Sequence, residues 1–303
     1  MNIAVTGGAG FIGSHLVDDL LKQGHKVVAI DNLSTGNKEN IHPAAIFAEQ
    51  DILDEKALKD LFEKEQIEGV FHLAAIPRVP ISVEDPAGTS QVNITGTVSV
   101  FKAAVDAGVK RIVFASSSSV YGNQEKLPLV EEMTASPVSP YGLQKLVGEQ
   151  FAHMFSTMYK LPVVSLRYFN VYGPRIDVES GYSLVLGKFL KQKSQGEQLT
   201  ILGNGEQTRA FCYVTDVVTA NIAAMESAKI QGGEVINVGG ADSHSINYLA
   251  ELIGGEKQYL DPRVGDVLHT MADTTKAKEL LDWESKVSFE DGIQQTKEWF
   301  ENN

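Results

Sequence analysis

The sequence predicts an α/β protein with a doubly wound parallel sheet and a smaller, mixed C-terminal domain. Short β-branched runs alternate with helical patterns through the first half of the 303-residue chain, which is typical of right-handed β–α–β units. A glycine cluster separates the first strand from the first helix. After residue 170 the alternation fades and Gly and Pro become frequent, which indicates a different organisation there.

The predicted strands of the first half are short runs of apolar and β-branched residues. They cover residues 2–7, 26–31, 45–51, 69–74, 111–117 and 162–170. Ile12, Leu16 and Leu20 recur at helical spacing and predict a first helix that Gly24 ends. Further helical patterns cover residues 54–65, 93–108, 141–155, 182–195, 214–228, 274–281 and 289–301.

The composition is that of a globular protein and limits the classes of partner. Apolar residues make up 43% of the chain and charged residues 21%, which is enough for a sizeable core. With 39 acidic and 26 basic residues, the net charge of −13 argues against binding nucleic acid or an anionic membrane. A single phosphorylated ligand held by a few local cations remains compatible with this charge.

Cysteine and histidine usage give no indication of a disulfide or a metal centre. Cys212 is the single cysteine, so no internal disulfide can form. The seven histidines show no metal-ligand spacing, and we expect no metal site. The chain starts directly with a strand and has no apolar run near 18 residues, so we expect a cytoplasmic protein.

The glycine cluster predicts a nucleotide site in a Rossmann-like fold. Gly8, Gly10 and Gly13 fit G-x-G-x-x-G, while Gly7, Gly10 and Gly13 fit G-x-x-G-x-x-G. Glycines between a strand and a helix let the backbone approach a pyrophosphate at the helix N-terminus. Asp31 ends the next strand 18 residues after Gly13, where a carboxylate binds ribose hydroxyls and repels a 2′-phosphate. The pattern favours NAD over NADP; a purely structural glycine turn is the alternative.

The stretch SPYGLQK places a tyrosine and a lysine one helical turn apart. Ser139 can cap the helix and Pro140 suits its first position, so Tyr141 and Lys145 share one face. A nearby cation favours the phenolate form of a tyrosine. The pair is therefore a candidate for proton transfer, although so short a motif also arises by chance.

Motifs in fixed order resemble the extended short-chain dehydrogenase/reductase family, and within it nucleotide-sugar 4-epimerases of the UDP-glucose 4-epimerase type. They are TGGAGFIGSHLVDDLLKQGHKVVAIDNLSTG, HLAA, VNITGT, SSSSVYG, SPYGLQK, RYFNVYGPR, GNGEQTR and RVGD. The resemblance implies an NAD-dependent isomerase that acts on a UDP-sugar. It implies an NAD-binding Rossmann domain at 1–168 and a nucleotide-sugar-binding domain at 169–303, with part of 210–240 returning to the first sheet.

The resemblance also implies roles for individual residues. The catalytic set is Ser117, Tyr141 and Lys145. The implied cofactor contacts are Gly7, Gly10, Phe11, Ile12, Gly13, Asp31, Asn32, Asp51, Ile52, Leu73, Ala74, Ala75, Asn93, Tyr141 and Lys145. The implied substrate contacts are Ser117, Tyr141, Asn170, Leu202, Arg209, Arg263, Asp266 and Thr270. Plainer alternatives are surface salt bridges for Arg209 and Arg263, a helix cap for Asn93 and a flexible serine run.

Several residues depart from the family pattern and bear on which reaction the chain is expected to catalyse. Ser118 and Ser119 stand where related dehydratases carry an Asp-Glu pair, so elimination of water would lack its proton carriers. Ala210 and Thr215 stand where acidic residues are usual, and Leu202 replaces an aromatic that often flanks the uracil. A 4-reductase, a sugar-acid decarboxylase or epimerase, and a non-catalytic NAD sensor remain as alternatives.

The sugar and the oligomeric state follow from two further features. Thr270, four residues after Asp266, matches a position where a small residue admits an N-acetyl group at C2 of the sugar. The resemblance thus implies that the chain interconverts UDP-N-acetylglucosamine and UDP-N-acetylgalactosamine, with UDP-glucose/UDP-galactose as a second substrate pair. The alternative is that Thr270 does not lie at the sugar pocket. Two helices that are apolar on more than one face predict a homodimer. The residues concerned are Val98, Val100, Phe101, Leu143, Leu146, Val147 and Phe151.

Overall fold

Seven parallel strands form the central sheet of the protein. The computed structural model describes residues 1–77, 79–178, 185–261 and 269–302. In the first half, the strands are β1 (Asn2–Thr6), β2 (Lys26–Asp31), β3 (Ile46–Glu49), β4 (Gly69–His72), β5 (Arg111–Ser117) and β6 (Val163–Tyr168). The helices are α1 (Phe11–Lys22), α2 (Glu55–Glu65), α3 (Val79–Glu84), α4 (Pro86–Ser90), α5 (Thr97–Asp106) and α6 (Pro140–Met158).

The second half contributes shorter strands. They are β7 (Val171–Tyr172), β8 (Leu199–Leu202), β9 (Thr208–Ala210), β10 (Cys212–Tyr213), β11 (Val235–Val238), β12 (Ser243–Ser245) and β13 (Lys257–Leu260). Its helices are α7 (Val185–Ser194), α8 (Val214–Glu226), α9 (Ile246–Ile253), α10 (Thr275–Leu281) and α11 (Phe289–Glu301).

The sheet order is β11-β6-β5-β4-β1-β2-β3, and every neighbouring pair is parallel. This is the predicted doubly wound α/β fold. The seventh strand, β11, comes from the second half of the chain and pairs with β6. The other second-half strands pair two by two, as β7 with β10, β8 with β13, and β9 with β12.

Alternating side chains of the sheet strands fill two hydrophobic clusters. On β1, Ile3 and Val5 belong to one cluster and Ala4 to the other. Leu16 of α1 and Val217 of α8 belong to the first cluster, while α2, α5 and α6 contribute to the second. A parallel sheet covered on both faces needs strands that are apolar on both sides, which explains the continuous apolar runs in the sequence.

The structure contains elements that the sequence patterns did not predict, including α3, α4 and the short strands of the second half. The helix expected over 93–108 begins as a π-helix at Gln91–Gly96, and α5 continues it from Thr97. The helix α9 was missed, although Ser245 caps it by accepting a hydrogen bond from the Tyr248 N–H at 3.1 Å. Its apolar residues at helical spacing were a readable signal. Residues 182–184 of the helix expected at 182–195 lie outside the described residues.

A search for membrane-spanning helices covered the described ranges only. None of the helices in those ranges is both long and apolar enough to cross a bilayer.

Candidate active site

The glycine loop connects β1 to the N-terminus of α1, and the backbone geometry requires glycine there. Gly7 has a φ of +72°, and a Cβ on Gly7 would lie 2.9 Å from the Ala74 nitrogen. A Cβ on Gly13 would overlap the Gly7 carbonyl oxygen. No acidic residue lies in the first turn of α1, so its free N–H groups face no competing carboxylate there. The loop can therefore accept a pyrophosphate.

Asp31 lies beside this loop at the end of β2. Its carboxylate accepts hydrogen bonds from the Ala9 N–H at 3.0 Å and the Leu33 N–H at 2.8 Å. These bonds fix the carboxylate at the loop, where only 9% of the residue is exposed. A carboxylate has about four lone-pair sites, so two remain for ribose hydroxyls. Asp31 therefore fits a dinucleotide with an unmodified ribose.

The other predicted cofactor residues lie after neighbouring strands of the same sheet. The Asn32 amide donates to the Asp51 carboxylate at 2.9 Å, which joins the segments after β2 and β3. Ile52 is buried, and a Cβ on Gly96 would meet its side chain at 2.6 Å. Leu73, Ala74 and Ala75 follow β4 and are partly buried, and Phe11 and Ile12 open α1. The sheet thus brings these segments to one edge.

Tyr141 and Lys145 lie on the first turns of α6, as predicted. The Ser139 hydroxyl caps the helix by accepting from the Gly142 N–H at 3.1 Å, and the Tyr141 N–H donates to the Ser82 hydroxyl at 3.1 Å. Both side chains are buried, and the Lys145 Nζ lies 5.9 Å from the centre of the Tyr141 ring. The phenol and the ammonium are therefore close enough to interact electrostatically.

Burial and charge act in opposite directions on Lys145. Its Nζ donates to the Ala115 carbonyl at 2.7 Å, and the residue is 4% exposed. Burial lowers the pKa of Lys145 to about 8, and the Glu149 carboxylate opposes this change. Lys145 thus titrates near working pH, which makes its charge sensitive to its neighbours.

Ser117 is the last residue of β5 and lies at the carboxyl edge of the sheet. Its hydroxyl accepts from the Ser119 N–H at 3.2 Å and donates to the Ser119 hydroxyl at 3.0 Å. These bonds cap the short 3₁₀ turn Ser118–Val120. In the structure the serine run forms the end of β5 and the turn that follows it.

Asn93 lies in the π-helix and does not cap a helix. Its side chain accepts from the Ile76 N–H at 2.8 Å and donates to the Ile76 carbonyl at 3.0 Å and to the Gln144 amide at 2.7 Å. Gln144, which the sequence analysis missed, is buried between Tyr141 and Lys145 and also donates to the Thr89 hydroxyl at 2.9 Å. These bonds join the segment after β4 to α6.

His72 is a second missed residue, at the end of β4. Its ring nitrogens are hydrogen-bonded to the hydroxyls of Thr6 at 2.7 Å and Thr97 at 3.0 Å. Complete burial, and secondarily the charge of Lys145, lower the pKa of His72 to about 3. The imidazole is therefore neutral at working pH and joins the glycine-loop strand to α5.

Three of the predicted substrate residues, Asn170, Arg209 and Thr270, lie at or next to β9. The Asn170 amide donates to the Ala210 carbonyl at 3.0 Å, and the Thr270 hydroxyl accepts from the Ala210 N–H at 3.3 Å. Asn170 and Thr270 therefore hold the same residue of the strand that carries Arg209, whose Nη1 donates to the Thr208 carbonyl at 2.9 Å. Ala210, which stands where an acidic residue is usual in the family, is fully buried.

Four further positions from the sequence analysis complete the description. Leu202 ends β8, and its carbonyl accepts from the Gln207 amide at 2.9 Å. Thr215 lies in the first turn of α8. Arg263 and Asp266 lie outside the described residues.

Comparisons with known proteins cover the whole chain. The model of the NAD dependent epimerase/dehydratase family matches residues 3–239. The UDP-glucose 4-epimerase of Mycolicibacterium smegmatis is 40% identical over 314 residues, which cover 100% of this chain and 99% of the relative. The crystal structure of the Thermotoga maritima UDP-glucose 4-epimerase with UDP-glucose has a TM-score of 0.95 and 42% identity, covering 100% of this chain and 99% of that one. The UDP-N-acetylglucosamine 4-epimerase of Methanobrevibacter ruminantium, solved with UDP-N-acetylmuramic acid, has a TM-score of 0.93 and 38% identity, covering 99% of this chain and 98% of that one.

Proposed function

The chain belongs to the NAD dependent epimerase/dehydratase family, and from this premise we propose that it inverts C4 of a UDP-hexose through a transient 4-keto sugar. The main support is the assembly of Ser117, Tyr141 and Lys145 at the carboxyl edge of the sheet. Tyr141 and Lys145 lie on one buried helix, and the Lys145 ammonium donates to the strand that ends in Ser117.

The residues of the first half fit NAD. The glycine loop leaves backbone N–H groups for the diphosphate, and the Asp31 carboxylate retains acceptor sites for a ribose diol. When bound, NAD would supply reversible hydride transfer at C4 of the sugar. The net reaction consumes no cofactor, so one bound NAD can serve many turnovers.

Tyr141 is the proposed general base. As the phenolate, it takes the proton of the sugar 4-hydroxyl and returns it after the keto sugar has turned over. The Lys145 ammonium on the same face favours the phenolate, and the Ser117 hydroxyl donates a hydrogen bond to the reacting oxygen. Ser118 and Ser119 provide no carboxylate for elimination of water, which disfavours the dehydratase reaction.

The second half holds the nucleotide while the sugar turns. We assign nucleoside-diphosphate contacts to Asn170 and Arg209, which adjoin at β9, and a uracil contact to Leu202 at the end of β8. A guanidinium is well suited to diphosphate oxygens because its donors form a fork. Arg263 and Asp266 are assigned to the same task from the family resemblance alone. Binding energy from this remote part retains the intermediate.

Thr270 is the proposed determinant of the sugar. Its hydroxyl and backbone N–H are both bonded to β9, so this small residue has a defined position next to the strand of Arg209. We therefore propose UDP-N-acetylglucosamine/UDP-N-acetylgalactosamine as the principal pair, with UDP-glucose/UDP-galactose as a second activity. The two solved relatives with TM-scores of 0.95 and 0.93 are named for a UDP-glucose and a UDP-N-acetylglucosamine epimerase, and both reactions agree with the proposed chemistry.

A paired assay tests the function and the sugar separately. Purified protein is incubated with each UDP-sugar, and the products are separated by chromatography, with Thr270→Tyr measured in parallel. We expect inversion at C4 with both sugar pairs and selective loss of the acetylated pair in Thr270→Tyr. Equal activity of parent and variant on the acetylated pair would refute the sugar assignment only. Net NADH consumption would indicate a 4-reductase, and release of CO₂ from a UDP-uronic acid would indicate a decarboxylase.

We also propose a homodimer through an apolar strip on α6. Val100 and Phe101 are fully buried in the core and do not contribute, contrary to the sequence analysis. The strip is formed by Leu143, Leu146, Val147, Phe151, Met154 and Met158. Leu143 is 51% and Met158 is 68% exposed, an unusual exposure for large apolar side chains.

In light scattering at micromolar concentration, we expect Leu143→Asp to give a monomer and Tyr259→Asp, on β13, to leave the dimer intact.

A further inference from the structure

A buried ion pair lies behind the catalytic residues. The Glu149 carboxylate on α6 accepts from Arg167 on β6 through two bonds, Nε to Oε1 at 2.9 Å and Nη2 to Oε2 at 2.7 Å. The side chains are 4% and 5% exposed. A desolvated pair of this kind is not an efficient way to stabilise a fold, because burying both charges costs about as much as their attraction returns. Its position therefore calls for another explanation.

The same carboxylate is bonded to the strand that carries Ser117. The Ser116 hydroxyl donates to Glu149 Oε1 at 2.5 Å. Ser116 lies between Ala115, whose carbonyl accepts from Lys145, and Ser117 at the end of β5. Glu149 is also one helical turn after Lys145 on α6, so both residues contact consecutive residues of β5 from one face of the helix.

Arg167 extends the contact to the turn that follows Ser117. Its guanidinium lies over the Tyr121 ring at 4.5 Å from the ring centre, and the Tyr121 hydroxyl donates to Asn237 at 2.7 Å. The Asn237 amide in turn donates to the Leu129 carbonyl at 2.9 Å. The ion pair thus contacts the residue before the serine turn, Ser116, through Glu149, and the residue after it, Tyr121, through Arg167.

We propose that Glu149 is a positioning residue for the epimerisation, acting through Lys145 and Ser117: its carboxylate holds α6 against the end of β5 and places a negative charge next to the Lys145 ammonium. The proposal rests on the proposed function, because it assumes that Tyr141 reacts with Lys145 in the charged form.

The charges around Lys145 support this role. Tyr141 and Glu149 on α6 and His72 on β4 interact with Lys145. Further groups adjoin these: Arg167 on β6 pairs with Glu149, Tyr121 after β5 lies against Arg167, and Tyr168 on β6 interacts with Tyr141. Burial keeps His72 neutral by lowering its pKa to about 3, and burial raises the pKa values of Tyr121 and Tyr168. Among these groups Glu149 is the one carboxylate. It opposes the burial that lowers the pKa of Lys145 to about 8.

The sign of the expected change follows from this opposition. Without the Glu149 charge, burial acts alone and Lys145 loses its proton at a lower pH than in the parent. If turnover requires the ammonium, the alkaline limb of the pH–rate profile moves in the same direction. An opposite charge at short range changes a pKa by about one unit or more, so we expect a displacement of about one pH unit.

The test measures Glu149→Gln in the NAD-loaded protein by two readouts. The first is the pH dependence of kcat for 4-epimerisation. The second is the titration of the Lys145 side chain by NMR of ¹³Cε-lysine-labelled protein, with the signal assigned from Lys145→Arg. We expect both to move down by about one pH unit, with a rate about tenfold below the parent on the alkaline side. The NMR readout does not depend on epimerase activity, so failure of the proposed function and failure of this inference are distinguishable.

Two further variants separate charge from contact and guard against misfolding. Glu149→Gln leaves Arg167 buried and unpaired, so Glu149→Gln/Arg167→Met, which removes both charges, is measured as well. It should fold and show a displacement in the same direction, smaller than in Glu149→Gln because the positive charge of Arg167 is lost too. Ser116→Ala removes one hydrogen bond and keeps the carboxylate, and we expect a lower kcat with both titrations unchanged.

The control is Asp216→Asn, which alters a buried carboxylate remote from Lys145. Asp216 accepts from the Ser285 hydroxyl at 2.8 Å and from the Lys286 and Val287 N–H groups at 3.0 Å. Its loss should lower the thermal unfolding temperature without moving either titration. An unchanged Lys145 titration in both Glu149 variants would overturn the proposal, as would an unchanged alkaline limb despite a displaced titration.

Discussion

The first 168 residues and the segment from 169 to 302 place their proposed site residues in different ways. In the first half, one continuous sheet positions them at strand ends, as with Asp31 after β2 and Ser117 at the end of β5. In the second half, the described residues around β9 are joined by side-chain bonds, with Asn170 and Thr270 bonded to Ala210 from 40 and 60 residues away. The proposed cofactor residues therefore follow strand ends of one sheet, whereas the proposed substrate residues depend on contacts between segments that lie outside that sheet.

This difference predicts how substitutions in each half affect activity and stability. In the first half the functional groups follow from secondary structure, so a single substitution removes a chemical group and leaves the frame in place. In the second half, side-chain to backbone bonds join the segments that carry the proposed residues, so substitutions there should affect substrate binding and local stability together. The two halves should respond differently to matched substitutions.

The largest expected effect is that of Tyr141→Phe. Loss of the phenol hydroxyl removes the proposed base, and general acid–base groups contribute about 10²- to 10⁴-fold to rate. NAD should remain bound, because the hydroxyl is not needed for the fold. Turnover is measured by product separation and bound NAD by absorbance after denaturation. Tyr259→Phe on β13 should retain the parent rate, and more than about half the parent rate in Tyr141→Phe would exclude Tyr141 as the base.

The next effect concerns acid stability through His72. Its pKa lies at about 3 in the folded protein and near 6.5 when unfolded, so below pH 6.5 only the unfolded state takes up the proton. Stability therefore falls as the pH decreases from 6.5 to about 3, with a slope of up to about 1.4 kcal/mol per pH unit. Denaturant unfolding across this range should show a smaller slope for His72→Gln, and the parent slope for the exposed His153→Gln.

A smaller effect is expected for Asp31→Asn. The Asp31 carboxylate should repel the 2′-phosphate of NADP, so the parent should bind NAD more tightly. Removing the charge should reduce this preference by about tenfold, or about 1.4 kcal/mol, measured by calorimetry. Asp106→Asn, at the exposed end of α5, is the control and should keep the preference. Equal binding of NAD and NADP by the parent would show that Asp31 does not select the cofactor.

The smallest effect is that of Thr270→Val in the second half. The variant keeps the shape but cannot accept the hydrogen bond from the Ala210 N–H, which costs about 1 kcal/mol. We expect a higher KM for the UDP-sugar, a slightly lower unfolding temperature and unchanged NAD binding. Thr157→Val on α6, whose hydroxyl bonds only within its own helix, is the control. A change in NAD affinity would contradict the independence of the two halves.

The sequence was sufficient for the parts that depend on local order. The alternation of strands and helices predicted the α/β sheet, and the family comparisons confirm the predicted family, NAD cofactor and isomerase class. Glycine spacing, the Asp31 position and the Ser139 cap each follow from neighbouring residues, because backbone sterics and helix capping act over a few positions. The exact sugar and the dimer stay predictions.

Other features required the tertiary structure. The π-helix at Gln91–Gly96, the neutral His72 and the Glu149–Arg167 pair have no signal in a single sequence, because burial and partners from other elements create them. A glutamate and an arginine in sequence read as ordinary surface residues. Only the packing of α6 against β5 and β6 removes them from water, and the loss of solvent gives their charges influence over the lysine one turn away.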